Sequence, residues 1–287
     1  MEDHSWVIGD FIWTAFDYIG EASIGWCGYP LDKRIFPWNH ANCGDLNLSG
    51  ERRPQSYLRE TLWSDAPVSH IVVTPPVPSF PLNPDKADWS VWDFPDVVDH
   101  WNFPGYEGKK MTVSVYSNCE QVELFLNGES LGKQENTADK KNTLVWEVPY
   151  AHGILKAVSY NKGGEVGTAT LESAGKVEKI RLSADRTEIV ADGNDLSYIT
   201  LELVDSKGIR NQLAEELVEF SIEGDATIEG VGNANPMSIE SFVANSRKTW
   251  RGSNLLVVRS GKSSGRIIVT AKVKALPVAS ITITQKK

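Results

Sequence analysis

Three side chains near the N-terminus, Trp13, Asp17 and Glu21, combine an aromatic ring with two carboxylates in one short stretch. Paired carboxylates hydrolyse glycosidic bonds when they lie about 5–5.5 Å apart, with retention, or about 6.5–9.5 Å apart, with inversion. Such a pair must flank the bond from two sides, whereas Asp17 and Glu21 belong to the same short segment. We therefore interpret Asp17 as a residue that orients its neighbours or holds a substrate hydroxyl, and not as half of a catalytic pair.

Other patterns that support catalysis or metal binding are weak. The five histidines are scattered without metal-ligand spacing: His4, His40, His70, His100 and His152. No GxSxG elbow or Cys–His pattern indicates nucleophilic catalysis. The three cysteines, Cys27, Cys43 and Cys119, contain no CxxC pair, and the sequence leaves a disulfide between Cys27 and Cys43 open. We predict neither a metal nor a cofactor.

The net charge is −9, with no long run of one sign. This balance argues against nucleic acid and anionic membranes as partners. The sequence contains no apolar stretch of about 18 residues, so we predict no transmembrane helix. Its acidic N-terminus does not resemble a signal peptide. We expect any export signal of a parent protein to precede these residues.

The candidate residues lie at the end of a nearly continuous apolar run, residues 6–18. A run without period-two alternation predicts a strand buried on both faces, as in parallel sheets covered by helices. Residues 20–50 are rich in turn formers and predict a long loop, and Arg53-Pro54 predicts a helix start. One such β/α unit cannot bury its own faces, and an α/β barrel needs about 250 residues. We therefore expect an exposed apolar surface along residues 7–16 and a partly exposed Trp13.

The rest of the chain predicts β structure. Proline-rich residues 67–100 indicate a linker, residues 101–174 alternate as in an antiparallel sandwich, and residues 177–287 predict a second sandwich. Asn127-Gly128 is a strong hairpin signal. Gly230–Asn233 is interpreted as a turn, with a carbohydrate-facing loop over 230–242 as the alternative. The predicted domains are 1–66, 67–174 and 175–287.

Several spaced motifs match one enzyme family in order: GDFIWTAFDYIGE (9–21), IGW (24–26), FPW (36–38), CGDLNLSG (43–50) and RPQSYLRETLW (53–63). They resemble the end of the catalytic barrel of glycoside hydrolase family 2, especially its β-galactosidase branch. WNFPGYEGK (101–109) and VELFLNGESLG (122–132) resemble the sandwich that follows that barrel. The last third, including GVGNANP (230–236), resembles its Ig-like C-terminal module.

The resemblance implies a mainly β chain, in which a terminal β/α piece of a TIM barrel precedes two Ig-like antiparallel β-sandwiches. It implies a retaining parent enzyme whose two catalytic glutamates come from earlier barrel strands, so that no catalytic residue lies in this chain. Trp13 matches the strand-end tryptophan that forms an aromatic wall of the sugar site; the alternative is a core tryptophan. We predict substrate binding by Trp13, Asp17 and Trp26.

The expected partners are a carbohydrate substrate, such as a β-galactoside, and the missing N-terminal barrel domains. A periplasmic or secreted location is favoured for the parent protein. The alternative functions are a carbohydrate-binding module and a structural spacer, both without catalysis. A binding module would not need the apolar run of residues 6–18, so the enzyme interpretation is preferred.

Overall fold

The computed structural model describes residues 5–9, 11–21, 36–80 and 95–287. Residues 11–21 run beside residues 39–46, with a parallel bridge between Phe16 and Leu46 and an antiparallel one between Ile19 and His40. A 3-10 turn, Pro54–Ser56, and helix α1, Tyr57–Trp63, follow. We call residues 11–21 and 36–66 the N-terminal block. The helix predicted to start at Arg53-Pro54 is confirmed.

The predicted strand over residues 6–18 is wrong for this chain, because its described residues form isolated bridges and no regular strand. Within the described part of the chain, segment 39–46 forms backbone hydrogen bonds with residues 14–20. Ile8 and Phe11 are fully exposed, and Trp13 is 66% exposed. The expected exposed apolar surface is therefore confirmed. The assignment of the N-terminal block to a barrel stays a prediction.

A first β-sandwich follows the N-terminal block. Its three-stranded sheet has the order β1-β2-β5 and its four-stranded sheet the order β4-β3-β6-β7. The strands are β1 Ser69–Val73, β2 Lys110–Ser117, β3 Gln121–Leu126, β4 Glu129–Glu135, β5 Thr143–Pro149, β6 Ile154–Asn161 and β7 Gly164–Glu172. Their inward side chains, with Trp101 fully buried among them, form one core. The hairpin predicted at Asn127-Gly128 is confirmed, since both residues have positive φ and join β3 to β4.

The second β-sandwich has its own core and pairs a four-stranded with a five-stranded sheet, ordered β12-β14-β10-β8 and β13-β11-β15-β16-β9. Its strands are β8 Lys179–Ala184, β9 Glu188–Val190, β10 Leu196–Val204, β11 Leu217–Glu223, β12 Ala226–Gly232, β13 Ser246–Lys248, β14 Ser253–Ser260, β15 Gly265–Val273 and β16 Ala279–Lys286. The ladders are antiparallel except that β9 pairs with β16 in parallel.

Two interpretations of the β region need correction. The linker predicted over residues 67–100 contains a strand, because residues 69–73 form β1 and pair with β2. The turn predicted at Gly230–Asn233 is largely strand, because Gly230–Gly232 closes β12 against β14 and Val231 is buried in the core. The connection to β13 starts at residue 233. The domain boundaries themselves stay a prediction.

Candidate functional site

The ring of Trp13 lies at the surface and is hydrogen-bonded to Tyr18. The Trp13 Nε1–H donates to the Tyr18 hydroxyl over 3.2 Å, and the two rings meet edge to face with centroids 6.4 Å apart. The Tyr18 hydroxyl in turn donates to the Glu21 carboxylate. Burial, together with this bond, raises the pKa of Tyr18 to about 12, so its hydroxyl stays a donor at neutral pH. The indole is thus fixed in orientation while remaining 66% exposed.

Asp17 lies on the inner side of the same segment and is buried. Its Oδ1 accepts the backbone N–H of Cys43 over 3.2 Å, and its Oδ2 lies 3.8 Å from Nδ1 of His40. Burial raises the pKa of Asp17, and the positive charge of Arg53 opposes this rise. Burial also lowers the pKa of His40 to about 4, so the imidazole is neutral at pH 7. This geometry supports the role of Asp17 as an orienting residue.

Gly44 allows the loop to approach Asp17 this closely. A Cβ at Gly44 would lie 2.1 Å from the Asp17 backbone nitrogen and 2.6 Å from the Phe16 carbonyl carbon. The carbonyl of Gly44 accepts a hydrogen bond from Arg53 Nη1 over 2.9 Å. Burial lowers the pKa of Arg53 to about 10, so its guanidinium is charged at neutral pH. Gly44 therefore lies where residues 39–46, the apolar run and the start of the helix meet.

A polar cavity of about 260 Å³ lies where the N-terminal block meets the second sandwich. Arginines and carboxylates in equal number line it: Arg52, Arg53, Arg210 and Arg251 with Asp17, Glu51, Asp96 and Asp99. Arg210 and Glu51 form a two-pronged ion pair, at 2.6 and 3.3 Å. This ion pair joins the N-terminal block to the second sandwich beside the cavity.

Of the residues predicted to bind substrate, the structure places Trp13 and Asp17 on one segment, with Trp13 facing outwards and Asp17 inwards. Trp26 lies outside the described residues, as does Cys27, whereas Cys43 and Cys119 are buried free thiols. Substrate contact by all three predicted residues stays a prediction. Sequence reasoning missed Tyr18 and His40, although the aromatic-rich motif that carries Trp13 also contains Tyr18.

Within the described ranges, no cluster of three or more His, Cys, Asp or Glu side chains is arranged to hold a metal ion. The helices described there are also too short and too polar to cross a membrane.

Comparisons with known proteins identify the two sandwiches separately. Residues 180–282 match the family described as glycoside hydrolase family 2 C-terminal domain 5. Residues 108–167 match a domain of unknown function, DUF4982. The DUF4982 match lies in the first sandwich, and the family 2 match lies in the second. The two sandwiches therefore correspond to different families.

Longer relatives match across the chain. The β-galactosidase BoGH2A of Bacteroides ovatus is 31% identical over 100% of this chain, which covers 29% of that protein. A β-glucuronidase of Formosa agariphila is 30% identical over 69% of this chain, with 20% of its own length covered. A solved family 2 structure from Bacteroides cellulosilyticus DSM 14838 is 89% identical, with a TM-score of 0.86, and the match covers 99% of this chain and 35% of that one. The chain thus spans about a third or less of each relative. It belongs to glycoside hydrolase family 2, and its second sandwich matches C-terminal domain 5 of that family.

Proposed function

We propose that this chain supplies the end of the catalytic barrel and two following sandwiches to a retaining β-glycosidase, and that Trp13 forms an aromatic wall of its sugar site. The observation that carries the proposal is the fixed but exposed indole of Trp13, which Tyr18 holds from behind. An indole held in this way offers a flat apolar face to the axial C–H groups of a sugar ring.

The apolar run around Trp13 supports a catalytic domain as its partner. Ile8, Phe11, Phe16 and Ile19 are each more than half exposed, along one stretch of chain. Contiguous exposed apolar surface of more than a few hundred Å² marks an interaction site. We propose that the rest of the barrel covers this surface, because the family 2 relatives are about three times as long as this chain.

The proposed reaction is hydrolysis of a terminal β-glycosidic bond through a glycosyl-enzyme intermediate. A nucleophile and a general acid/base are both required. We assign these roles to glutamates of the missing barrel strands, as the family resemblance implies. Trp13 would stack on the sugar, and Asp17 would fix the loop that carries the site. A β-galactoside is the first substrate to test, because the β-galactosidase relative matches over the whole chain.

The test is Trp13→Ala in the full-length protein. As a sugar wall, the indole should contribute to transition-state binding, so kcat/KM should fall about 10- to 100-fold, or about 1.4–2.7 kcal/mol, with little change in melting temperature. Trp101→Ala is the control for a core tryptophan, since Trp101 is fully buried; it should cost about 3–5 kcal/mol of stability. A Trp13 variant that behaves like the Trp101 variant would refute the wall.

A further inference from the structure

The connection between β12 and β13, residues 233–245, is hydrogen-bonded to the N-terminal block at Asn39. The backbone N–H of Asn39 donates to Pro236 O over 2.8 Å, and its side-chain amide donates to Ser238 O over 2.9 Å. Pro236 is buried, and His40, which follows Asn39, is 2% exposed. Hydrogen bonds that are shielded from water cost the most when one partner is removed. Asn39 therefore attaches the N-terminal block to the second sandwich.

The same residue is also bonded to the segment that carries Trp13. Asn39 O accepts the N–H of Gly20 over 2.9 Å, and the N–H of the nearby Ala41 donates to Tyr18 O over 3.0 Å. The hydroxyl of Tyr18 accepts the Nε1–H of Trp13 over 3.2 Å. A series of hydrogen bonds thus joins the second sandwich to the Trp13 indole by way of Asn39 and Tyr18.

The two halves of the segment that carries the indole are held by different residues. Residues 14–17 form backbone hydrogen bonds with residues 43–46, whereas residues 18–20 bond to residues 39–41. The second attachment is the one that contains Asn39. A displacement of Asn39 would therefore move the tyrosine hydroxyl relative to the indole that it holds.

Arg247 holds the acceptor side of this attachment in place. It is 1% exposed and donates from Nη1 to Val231 O over 3.0 Å and from Nη2 to the Ser238 hydroxyl over 3.1 Å. Its Nε lies 3.9 Å from the carboxylate of Glu240, which offsets the buried charge. The guanidinium therefore ties Ser238, whose carbonyl accepts from Asn39, to the core strand β12.

We propose that Asn39 is a positioning residue for the sugar site, through which the second sandwich sets the orientation of the Trp13 indole. This proposal rests on the proposed role of Trp13 as a sugar wall. Tyr18 holds the indole, and the segment that Asn39 attaches to the second sandwich holds the backbone of Tyr18. A displacement of about 1 Å in a group that positions the substrate can lower the rate about 100-fold. The attachment thus affects catalysis without touching the sugar.

The experiment is a double-mutant cycle between Asn39→Ala and Trp13→Ala in the full-length protein, assayed with an aryl β-galactoside well below the melting temperature. Asn39→Ala removes the side-chain bond to Ser238 O and keeps the backbone bond. With Trp13 present it should lower kcat/KM about 3- to 10-fold, the effect of one lost hydrogen bond. In the Trp13→Ala background the same substitution should change kcat/KM less than about twofold, because no indole remains to be positioned.

Asn136→Ala is the matched control, since the Asn136 amide donates to Ser117 O over 2.9 Å within the first sandwich. It should lower the melting temperature without changing kcat/KM in either background. Ser238→Ala is a second variant, which keeps the carbonyl acceptor and removes the hydroxyl to which Arg247 donates. It should give a smaller loss of kcat/KM with the same dependence on Trp13, and it decides the question if the first variant fails to fold.

An equal loss of kcat/KM from Asn39→Ala with and without the Trp13 indole would overturn the inference, since the two residues would then act independently. An unchanged kcat/KM, or a loss of stability alone as in the control, would overturn it as well. If Trp13→Ala lowers kcat/KM and is coupled to neither variant, the inference fails and the sugar wall stands. If Trp13→Ala has no effect, the sugar wall is misplaced and both proposals fail.

Discussion

The carboxylate of Asp17 and the imidazole of His40 share a buried position between the apolar run and the following loop. Burial raises the pKa of Asp17 and lowers that of His40, which the nearby charges of Arg247 and Arg53 lower further. The 3.8 Å contact between them at pH 7 therefore involves a neutral ring and is not a salt bridge. It follows that acidification should affect this part of the chain through His40.

The first prediction concerns the pH dependence of stability. The pKa of His40 is lowered from 6.5 to about 4 on folding, so in this window the unfolded chain binds a proton that the folded chain does not. The free energy of unfolding should therefore fall as pH decreases, by up to about 1.4 kcal/mol per pH unit. His40→Gln should remove this contribution. Denaturant unfolding of both proteins through the window measures it, and parallel pH profiles would contradict it.

Gly44 gives a second prediction. Gly44→Ala would place a methyl group against the backbone of Asp17, and neither backbone can yield without breaking the hydrogen bonds between the run and the loop. We expect a loss of about 1–3 kcal/mol or more, as for an overpacked core. Gly167→Ala is the matched control, since a Cβ there meets nothing within 4 Å. Equal thermal stability of the two variants would show that Gly44 does not pack closely against the backbone of Asp17 in solution.

At the level of elements, the ion pair between Glu51 and Arg210 joins the N-terminal block to the second sandwich. Glu51→Gln should weaken this junction by about 1.5–3 kcal/mol, because it removes a charge-assisted pair that is only partly exposed. Amide exchange in residues 47–56 should then speed up. Glu202→Gln, which removes the Arg181 pair between two strands of one sheet, is the control and should leave that exchange unchanged. Unchanged exchange in both variants would mean that other contacts hold the junction.

Alternation explains which strands could be predicted from the sequence. β3 was predictable because Val122 and Leu124 are buried while Gln121, Glu123 and Phe125, which alternate with them, are partly exposed. β4, Glu129–Glu135, lies at the edge of its sheet with mostly exposed polar side chains, so no period marks it. β12 contains glycines that predict a turn, yet its core side chain Val231 is buried. Edge position and glycine content thus conceal strands that tertiary pairing stabilises.

The candidate site was predictable only in part, for a related reason. Trp13 and Asp17 stand in a motif that can be read locally. Their partners His40 and Arg53 come from the loop and from the helix start, and the bonds of Asn39 come from residues near 236. Local patterns carry no information about such pairings. The apolar composition of residues 6–18 suits a buried environment. This explains why the sequence predicts a buried strand there, whereas this chain leaves most of the run exposed.

At the level of the whole molecule, we predict that this chain alone does not hydrolyse glycosides. Double displacement needs a general acid and a nucleophile, which we assign to residues outside this chain. The purified chain should give no turnover of aryl β-galactosides, β-glucosides or β-glucuronides, and the full-length protein is the positive control. Turnover by the chain that Asp17→Asn or Glu21→Gln abolishes would place the catalytic pair here and contradict the proposal.

The bond between the Asn39 side chain and Ser238 joins residues 199 positions apart. Ribosomes add about 5–20 residues per second, and domains fold in order from the N-terminus. Segment 36–42 therefore leaves the ribosome about 10–40 s before residues 236–238, which accept the hydrogen bonds of Asn39. During that interval Asn39 lacks its hydrogen-bond acceptors at Pro236 and Ser238. The order of synthesis thus places the second sandwich late in completing the surroundings of residues 36–42, so that a protein truncated before residue 233 would retain Trp13 and lack these contacts.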